Sequence, residues 1–365
     1  MASVGTGPKV PQSKARSRKD GAAVPLDEAD KRLMNLLQSS FPLDPEPFAL
    51  AASEAEMELD DVLARTQRLL DERIVREITP IFDTRALGYE SMLVAAKVDS
   101  EHPQRAAAIV NSHPGVSHNY LRTHDFNLWF TIATPPDSGL GLAGTLDVLM
   151  RETGAESMRQ LPTLTLFKIN MNLEMEGGTD ALAAAVDAAP PRELEAQPYD
   201  DTDIAVIRAL QGPMAAVERP YDEAAAELGM GVGDLLEHLR GMVDRKLLRR
   251  VAAILYHRRA GFSANGMGVW KVPEGEIMET GRRMASFRGI SHCYQRPTYE
   301  DWPYSVFTMA HGRSKEECDA ILDSIAEECG MGPDDRATLY SSTEYKKIRL
   351  HYFTDEYSRW EAEHS

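Results

Sequence analysis

The stretch GVSHNYLR occupies residues 115–122, and a second stretch, GISHCYQR, occupies residues 289–296. Both contain the pattern Gly-[Val/Ile]-Ser-His-x-Tyr-x-Arg, and each is soon followed by an apolar stretch, at residues 126–132 and 306–309. Side chains of an extended strand alternate between its two faces, so the histidine, tyrosine and arginine of each copy should share one face. The repetition indicates one functional site that is assembled from two halves of the chain.

The repeat extends well beyond these two stretches. Asp30–Gln38 matches Asp203–Gln211, and Leu69–Val75 matches Met242–Leu248, in both cases with residue numbers that differ by 173. The residue numbers of the two motif stretches differ by 174. A constant offset over so much of the chain is typical of an internal duplication. We therefore predict a covalent pseudo-dimer with an approximate two-fold axis.

Each copy begins with a helical pattern. In the first copy a helix follows Asp27, a plausible N-cap, and a third helix is predicted from about Leu59 to Glu72. A second, shorter helix lies between them, and Ile74–Ile78 is predicted to be a short strand or wing. Three helices followed by a wing are typical of a winged helix-turn-helix.

The period changes after Thr79-Pro80. The order of predicted elements becomes β-α-β-β-α-β, with Phe126, Leu128, Phe130 and Ile132 alternating onto the core face of one strand. That order is typical of a ferredoxin-like α+β sandwich, with helices on one face of the sheet and the other face open.

The predicted fold class is therefore α+β, a tandem duplication of these two domains. The expected segments are a disordered tail (residues 1–25), winged helix-turn-helix 1 (26–79), ferredoxin-like domain 1 (80–175), a linker (176–197), winged helix-turn-helix 2 (198–251) and ferredoxin-like domain 2 (252–357).

Composition narrows the function classes. No apolar run approaches the 18 or more residues of a membrane span, and the start lacks the apolar core of a signal peptide. Cys293, Cys318 and Cys329 form an odd set without metal-site spacing, which predicts reduced thiols in the cytoplasm. The net charge of −17 argues against nucleic acid as a partner but leaves a small anionic ligand open, provided that arginines are concentrated locally.

Residues 59–75 are similar to the recognition-helix-and-wing signature of the Lrp/AsnC regulator family. The two motif stretches, together with Asn127–Thr131, resemble a narrower offshoot, the siroheme decarboxylases of alternative haem and haem d1 biosynthesis, in which two related subunits cooperate and fused forms occur. One departure is Val306, which stands where the first half has Trp129, with three additional residues before it.

The resemblance implies a carboxy-lyase that removes CO2 from two acetate side chains of siroheme to give 12,18-didecarboxysiroheme. It implies no cofactor and no metal of the protein's own, because the iron belongs to the substrate. His118 and His292 would be the proton donors, since an imidazole with a pKa near 6.5 suits that task. Ordinary strand histidines, or axial ligands to the substrate iron, are the alternatives.

The remaining motif residues have implied roles in binding. Arg122 and Arg296 would hold substrate carboxylates in a bidentate fork, the alternative being surface ion pairs. Tyr120 and Tyr294 would bond a carboxylate or stack on the ring edge, or else be half-buried sheet residues. Trp129 should lie on the open face and pack on the macrocycle, the alternative being packing between the two half-sheets.

Two further function classes stay open at this point: an Lrp/AsnC-type DNA-binding regulator with a small-molecule effector, and a haem-binding sensor without turnover. The predicted recognition helices carry Glu58, Asp60 and Asp61 in the first copy, and Asp234 and Glu237 in the second. Phosphates would repel these carboxylates, so we expect no nucleic acid as a partner. The lack of a membrane-span pattern leads us to expect no membrane partner either. A homodimer of the fused chain is left open.

Overall fold

The computed structural model describes residues 26–39, 41–169, 195–256 and 264–364. The predicted tail and most of the predicted linker lie outside these residues. The first half comprises α1 (Glu28–Ser39), α2 (Pro47–Ala55), α3 (Leu59–Asp71), β1 (Val75–Phe82), β2 (Glu90–Lys97), α4 (Pro103–Ser112), β3 (Val116–Arg122), β4 (Leu128–Thr134), α5 (Gly141–Thr153), β5 (Ser157–Leu161) and β6 (Thr165–Ile169).

The second half repeats the order. It comprises α6 (Asp201–Leu210), α7 (Asp222–Glu227), α8 (Val232–Asp244), β7 (Leu248–Leu255), β8 (Ala264–Trp270), α9 (Ile277–Ser286), β9 (Ile290–Gln295), β10 (Val306–Gly312), α10 (Lys315–Glu328), β11 (Arg336–Lys347) and a C-terminal helix, α11 (Glu356–His364). The predicted duplication of a three-helix unit and a β-α-β-β-α-β unit is confirmed.

The first helix of each half has the same cap. The backbone N–H of Asp30 donates to Asp27 Oδ1 at 2.7 Å, and the backbone N–H of Asp27 donates to Asp30 Oδ2 at 3.2 Å. Asp200 and Asp203 form the same reciprocal pair, at 3.0 and 3.1 Å. Such a capping box satisfies amide groups that have no partner within the helix, which explains why both helices begin where they do.

The wings join the two helix-turn-helix units. β1 pairs with β7 in an antiparallel two-stranded ribbon, with Thr79 opposite Ala252. β1 continues through Pro80 to Phe82, so the predicted boundaries at 79/80 and 251/252 both fall inside strands. A two-stranded ribbon has a free edge on each strand, and a proline is tolerated there because its missing N–H removes no ladder bond.

The ferredoxin-like strands form one nine-stranded sheet in the order β5-β2-β4-β3-β11-β8-β10-β9-β6. Residues 336–340 of β11 pair with β8, and residues 341–347 pair with β3 of the other half. Likewise β5 pairs with β2 of its own half, whereas β6 pairs with β9 of the second half. The β-α-β-β-α-β order predicted from the sequence has a single strand after the second helix, so it missed β5. In the structure, the last segment of each half crosses to the other.

The two sheet faces differ in what covers them. Leu128, Phe130 and Ile132 pack under the helices of the first half. The opposite face is not open, because Trp129, Trp302 and neighbours from both halves form a shared core there. Phe126 belongs to this second core, whereas the sequence predicted that it shares a face with Leu128. The prediction was wrong because Phe126 precedes β4, so the alternation of side chains along that strand does not apply to it.

Within the described ranges, no helix is both long and apolar enough to span a bilayer.

Candidate active site on the two motif strands

The first motif forms β3, and its predicted face is observed. The rings of His118 and Tyr120 lie 6.1 Å apart, and the Arg122 guanidinium lies 5.8 Å from the centre of the Tyr120 ring. Asn119 points the other way, toward the helices, where its amide donates to Asn111 Oδ1 at 2.9 Å. Strand alternation therefore places the histidine, tyrosine and arginine together.

The second motif forms β9 with the same geometry. The rings of His292 and Tyr294 lie 6.0 Å apart, and the Arg296 guanidinium lies 4.9 Å from the Tyr294 ring centre. Cys293, like Asn119, is fully buried on the helix side. The two motif strands are therefore equivalent in structure as well as in sequence.

Each arginine is anchored on a strand that belongs to the other half of the chain. Arg122 donates to the Leu339 carbonyl of β11 at 3.2 Å, and Arg296 donates to the Leu161 carbonyl of β5. Both guanidinium groups are shielded from water, and this burial lowers the pKa of each to about 10. Both therefore remain charged at neutral pH.

Neither of these two arginines forms the surface ion pair that the sequence left open. In the part of the chain that the structure describes, no carboxylate lies within salt-bridge distance of Arg122 or Arg296. The Nε of each is buried without a hydrogen-bond partner. A buried charge is normally paired, so two unpaired guanidinium groups at equivalent positions are suited to an anionic ligand.

The histidines are oriented by the serines that precede them. Ser117 Oγ lies 2.9 Å from His118 Nδ1, and Ser291 Oγ lies 2.6 Å from His292 Nδ1. Burial, followed by the positive charges of Lys347 and Arg76, lowers the pKa of His118 to about 4. Without a ligand His118 is therefore neutral near pH 7, whereas the sequence argument expected a charged imidazole.

Trp129 lies within the core between the half-sheets and is 1% exposed. Its ring is 5.2 Å from that of Trp302, and its indole N–H donates to the Phe126 carbonyl at 2.6 Å. This is the packing alternative that the sequence left open. Trp129 still borders the site, because the Arg122 guanidinium lies 5.7 Å from the centre of its ring.

The sequence alignment of the second half with the first was wrong by one position here. Tyr120 pairs with Trp129, and Tyr294 pairs with Phe307, so Phe307 and not Val306 is the counterpart of Trp129. The Arg296 guanidinium lies 5.5 Å from the centre of the Phe307 ring, and the Arg122 guanidinium lies 5.7 Å from that of Trp129. By this pairing, the connection between β9 and β10 is four residues longer than its counterpart in the first half, and it contains Trp302, which packs beside Trp129.

Sequence reasoning missed one residue of the second site. His311 on β10 lies with Nε2 at 2.5 Å from Ser291 Oγ, the atom that also contacts His292. No doubled pattern could have revealed it, because the first half has no histidine at the equivalent position.

Comparison with known proteins identifies the family. Residues 30–76 and 203–249 match the siroheme decarboxylase NirDL-like HTH domain, and residues 86–168 and 259–346 match the AsnC-like ligand binding domain. A siroheme decarboxylase of Hydrogenobacter thermophilus is 40% identical over 334 residues, which is 92% of this chain and 97% of that one. The chain belongs to the siroheme decarboxylase family.

Other members of the siroheme decarboxylase family support the fused arrangement. The beta subunit of a siroheme decarboxylase from Methanosarcina barkeri is 36% identical over 153 residues, which is 41% of this chain and 99% of that subunit. A crystal structure of the siroheme decarboxylase NirDL, in co-complex with an iron-uroporphyrin III analogue, matches 92% of this chain with a TM-score of 0.72 and 35% identity, and 98% of that chain is covered. The predicted family, its Lrp/AsnC relation and the carboxy-lyase class are confirmed at the level of the family.

Proposed function

We propose that this chain decarboxylates siroheme, removing CO2 from two acetate side chains to give 12,18-didecarboxysiroheme. The observation that carries the proposal is the pair of buried, unpaired guanidinium groups of Arg122 and Arg296, each on the same face as a histidine and a tyrosine. A substrate that carries eight carboxylates supplies the anions that these two groups lack. The family relatives named for siroheme decarboxylation point to the same substrate.

The chemistry needs a proton at two moments. An acetate on an electron-rich pyrrole carbon loses CO2 slowly, and protonating the macrocycle creates the electron sink that accepts the bonding pair. After CO2 leaves, the exocyclic carbon takes one proton to become a methyl group, and the macrocycle releases the proton that made it an electron sink, so each decarboxylation consumes one proton. His118 and His292 would supply these protons, because an imidazole moves protons readily near neutral pH.

Substrate binding would also raise the pKa of His118, so that its imidazole becomes protonated. Lys347 and Arg76 are the positive groups that, after burial itself, keep the pKa of His118 at about 4. A carboxylate bound beside them would offset their charge and raise that pKa, so the acid would form when substrate arrives. Arg122 and Arg296 would hold other carboxylates, and Tyr120 and Tyr294 would complete the polar face.

The iron belongs to the substrate, so the proposal includes no cofactor. The proposal also includes no nucleic acid. The helix α3, which is equivalent to a recognition helix, begins with Asp60 and Asp61, and the positive charge of Arg65 on the same helix is already bonded to Asp61 at 3.0 Å and to Asp27 at 2.8 Å. The helix-turn-helix units would then serve to hold the two halves together. The three cysteines are free thiols, which supports a cytoplasmic setting.

The test is incubation of the full chain with siroheme under anaerobic conditions, followed by mass spectrometry of the tetrapyrrole. We expect two successive losses, each of one CO2. Binding of siroheme without any mass loss would overturn the proposal in favour of a sensor. A specific DNA footprint without turnover would favour a regulator.

A further inference from the structure

The second half contains a chain of hydrogen bonds behind its motif histidine. Asn265 Oδ1 lies 2.6 Å from His311 Nδ1, His311 Nε2 lies 2.5 Å from Ser291 Oγ, and Ser291 Oγ lies 2.6 Å from His292 Nδ1. Ser291 is only 8% exposed, so water does not compete strongly for its hydroxyl. Two imidazole rings are therefore joined through one serine oxygen.

The first half lacks this chain. His311 and Asn265 are partners across β10 and β8, and Ala133 and Ser91 are partners at the equivalent register of β4 and β2. The hydroxyl of Ser117 contacts His118 at 2.9 Å, with an alanine where the second half has an imidazole. The two halves thus differ in what stands behind an otherwise equivalent histidine.

Hydrogen-bond chemistry fixes how protons are arranged along the chain. The amide oxygen of Asn265 faces His311 and can only accept, so Nδ1 of His311 carries a proton. The Ser291 hydroxyl has one proton, and both imidazoles lie much closer to it than its other acceptor, the Met309 carbonyl at 3.5 Å, so it donates to one imidazole and accepts from the other. When His311 is charged, Ser291 donates to Nδ1 of His292. When His311 is neutral, the bond reverses and His292 donates to Ser291.

We propose that His311 is a positioning residue that shares one proton with His292 through Ser291, and that His292 delivers this proton to the substrate. The inference rests on the proposed decarboxylase function. In the delivery step, the proton on Nε2 of His292 moves to the carbon that has lost CO2. The Ser291 proton moves to Nδ1 of His292, and the Nε2 proton of His311 moves to Ser291. His311 becomes neutral, and one proton from water restores the charge.

The surroundings of His311 favour this sharing. Two neutral groups hold its ring, the amide of Asn265 at Nδ1 and the hydroxyl of Ser291 at Nε2. The charged side chains that follow along the chain are Arg313 and Glu317, and Glu317 accepts from the backbone N–H of residue 313 at 2.6 Å. His292 is the titratable group on the far side of the serine. The proton therefore moves between two groups of the same intrinsic basicity.

The equivalent positions of the first half suggest the variants. His311→Ala and Asn265→Ser copy the first half, and His311→Gln keeps a hydrogen-bonding side chain that cannot carry a proton. His102→Ala, at an exposed position at the start of α4, is the control for losing a histidine. A positioned general acid contributes about 10² to 10⁴-fold, so His311→Ala, which leaves His292 in place, should slow single-turnover CO2 release less, by about tenfold.

Three readouts separate a shared proton from a structural role. We expect His311→Gln to be as slow as His311→Ala, the His311→Ala/Ser291→Ala double variant to be no slower than either single variant, and NMR titration of substrate-free protein to show a changed His292 titration in His311→Ala. A wild-type rate for His311→Gln, additive losses in the double variant, or an unchanged His292 titration would each overturn the proposal. The titration needs no substrate, so it tests the coupling even if siroheme proves not to be the substrate.

Discussion

Replacing Arg122 by methionine separates a ligand-binding arginine from a structural one. Burial lowers the pKa of this guanidinium from 12.5 to about 10, which corresponds to a cost of about 3 kcal/mol for keeping the charge inside the folded protein, at about 1.4 kcal/mol per pKa unit. Against this stand one hydrogen bond to Leu339 and contacts with the Tyr120 and Trp129 rings, each about 0.5 to 1.5 kcal/mol.

These contributions nearly cancel, so Arg122→Met should change the free energy of unfolding by no more than about 1 kcal/mol in either direction. An arginine that formed a buried ion pair would instead cost about 3 to 5 kcal/mol on removal. Substrate binding should respond quite differently. A charge-assisted hydrogen bond contributes about 1.5 to 3 kcal/mol, so siroheme should bind about 10 to 150-fold more weakly.

The measurements are urea unfolding of the substrate-free protein and a spectroscopic titration with siroheme. Arg159→Met is the matched control, because Arg159 is partly exposed and paired with Asp301 at 2.8 Å; its loss should cost about 1 kcal/mol or less and leave siroheme affinity unchanged. Strong destabilisation by Arg122→Met with unchanged siroheme affinity would refute the reasoning, because the guanidinium would then belong to the fold.

Further predictions concern the histidines and the recognition helix. His118→Ala and His292→Ala should each slow single-turnover CO2 release by about 10² to 10⁴-fold while siroheme still binds, and wild-type rates in both would exclude them as proton donors. Because the pKa of His118 is about 4 when folded and 6.5 when unfolded, the unfolded chain takes up a proton first as the pH falls. The stability that neutral His118 contributes is therefore complete above pH 6.5 and is lost as the pH falls to about 4. The variant His118→Gln cannot take up this proton, so it should avoid a loss of up to about 3 kcal/mol. The free energy of urea unfolding should then depend less on pH in the variant than in the wild type. Finally, nuclease footprinting at moderate salt should show no specific protection of duplex DNA, since Asp60 and Asp61 open α3; protection that depends on α3 would contradict this.

The features that could be predicted from the sequence are those governed by local periodicity. Alternation along β3 and β9 placed each histidine on the same face as its tyrosine and arginine, and the predicted cap at Asp27 follows from short-range hydrogen bonding. The duplication strengthened these predictions, because the same sequence pattern occurs in both halves and supports the same element twice.

The features that could not be predicted depend on contacts between distant strands. β5 is only five residues long and mostly polar, so its sequence does not show the pattern of a strand. It is recognised as a strand only from its pairing with β2 in the folded sheet. The lowered pKa of His118 depends on burial, Lys347 and Arg76, which come together only on folding. His311 is present in one half alone, so a search for repeated residues could not find it.

The crossing of β11 has a mechanical consequence. The last seven residues of this strand, 341–347, pair with β3 of the first half, whereas residues 336–340 pair with β8 of the second, in the middle of the sheet. Pulling the halves apart would require breaking the ladder between β11 and β3 and the ladder between β6 and β9, so the covalent connection is not what holds them together. A chain cut once by a protease between residues 170 and 194 should therefore migrate as a single particle, and its two fragments should separate only when both unfold.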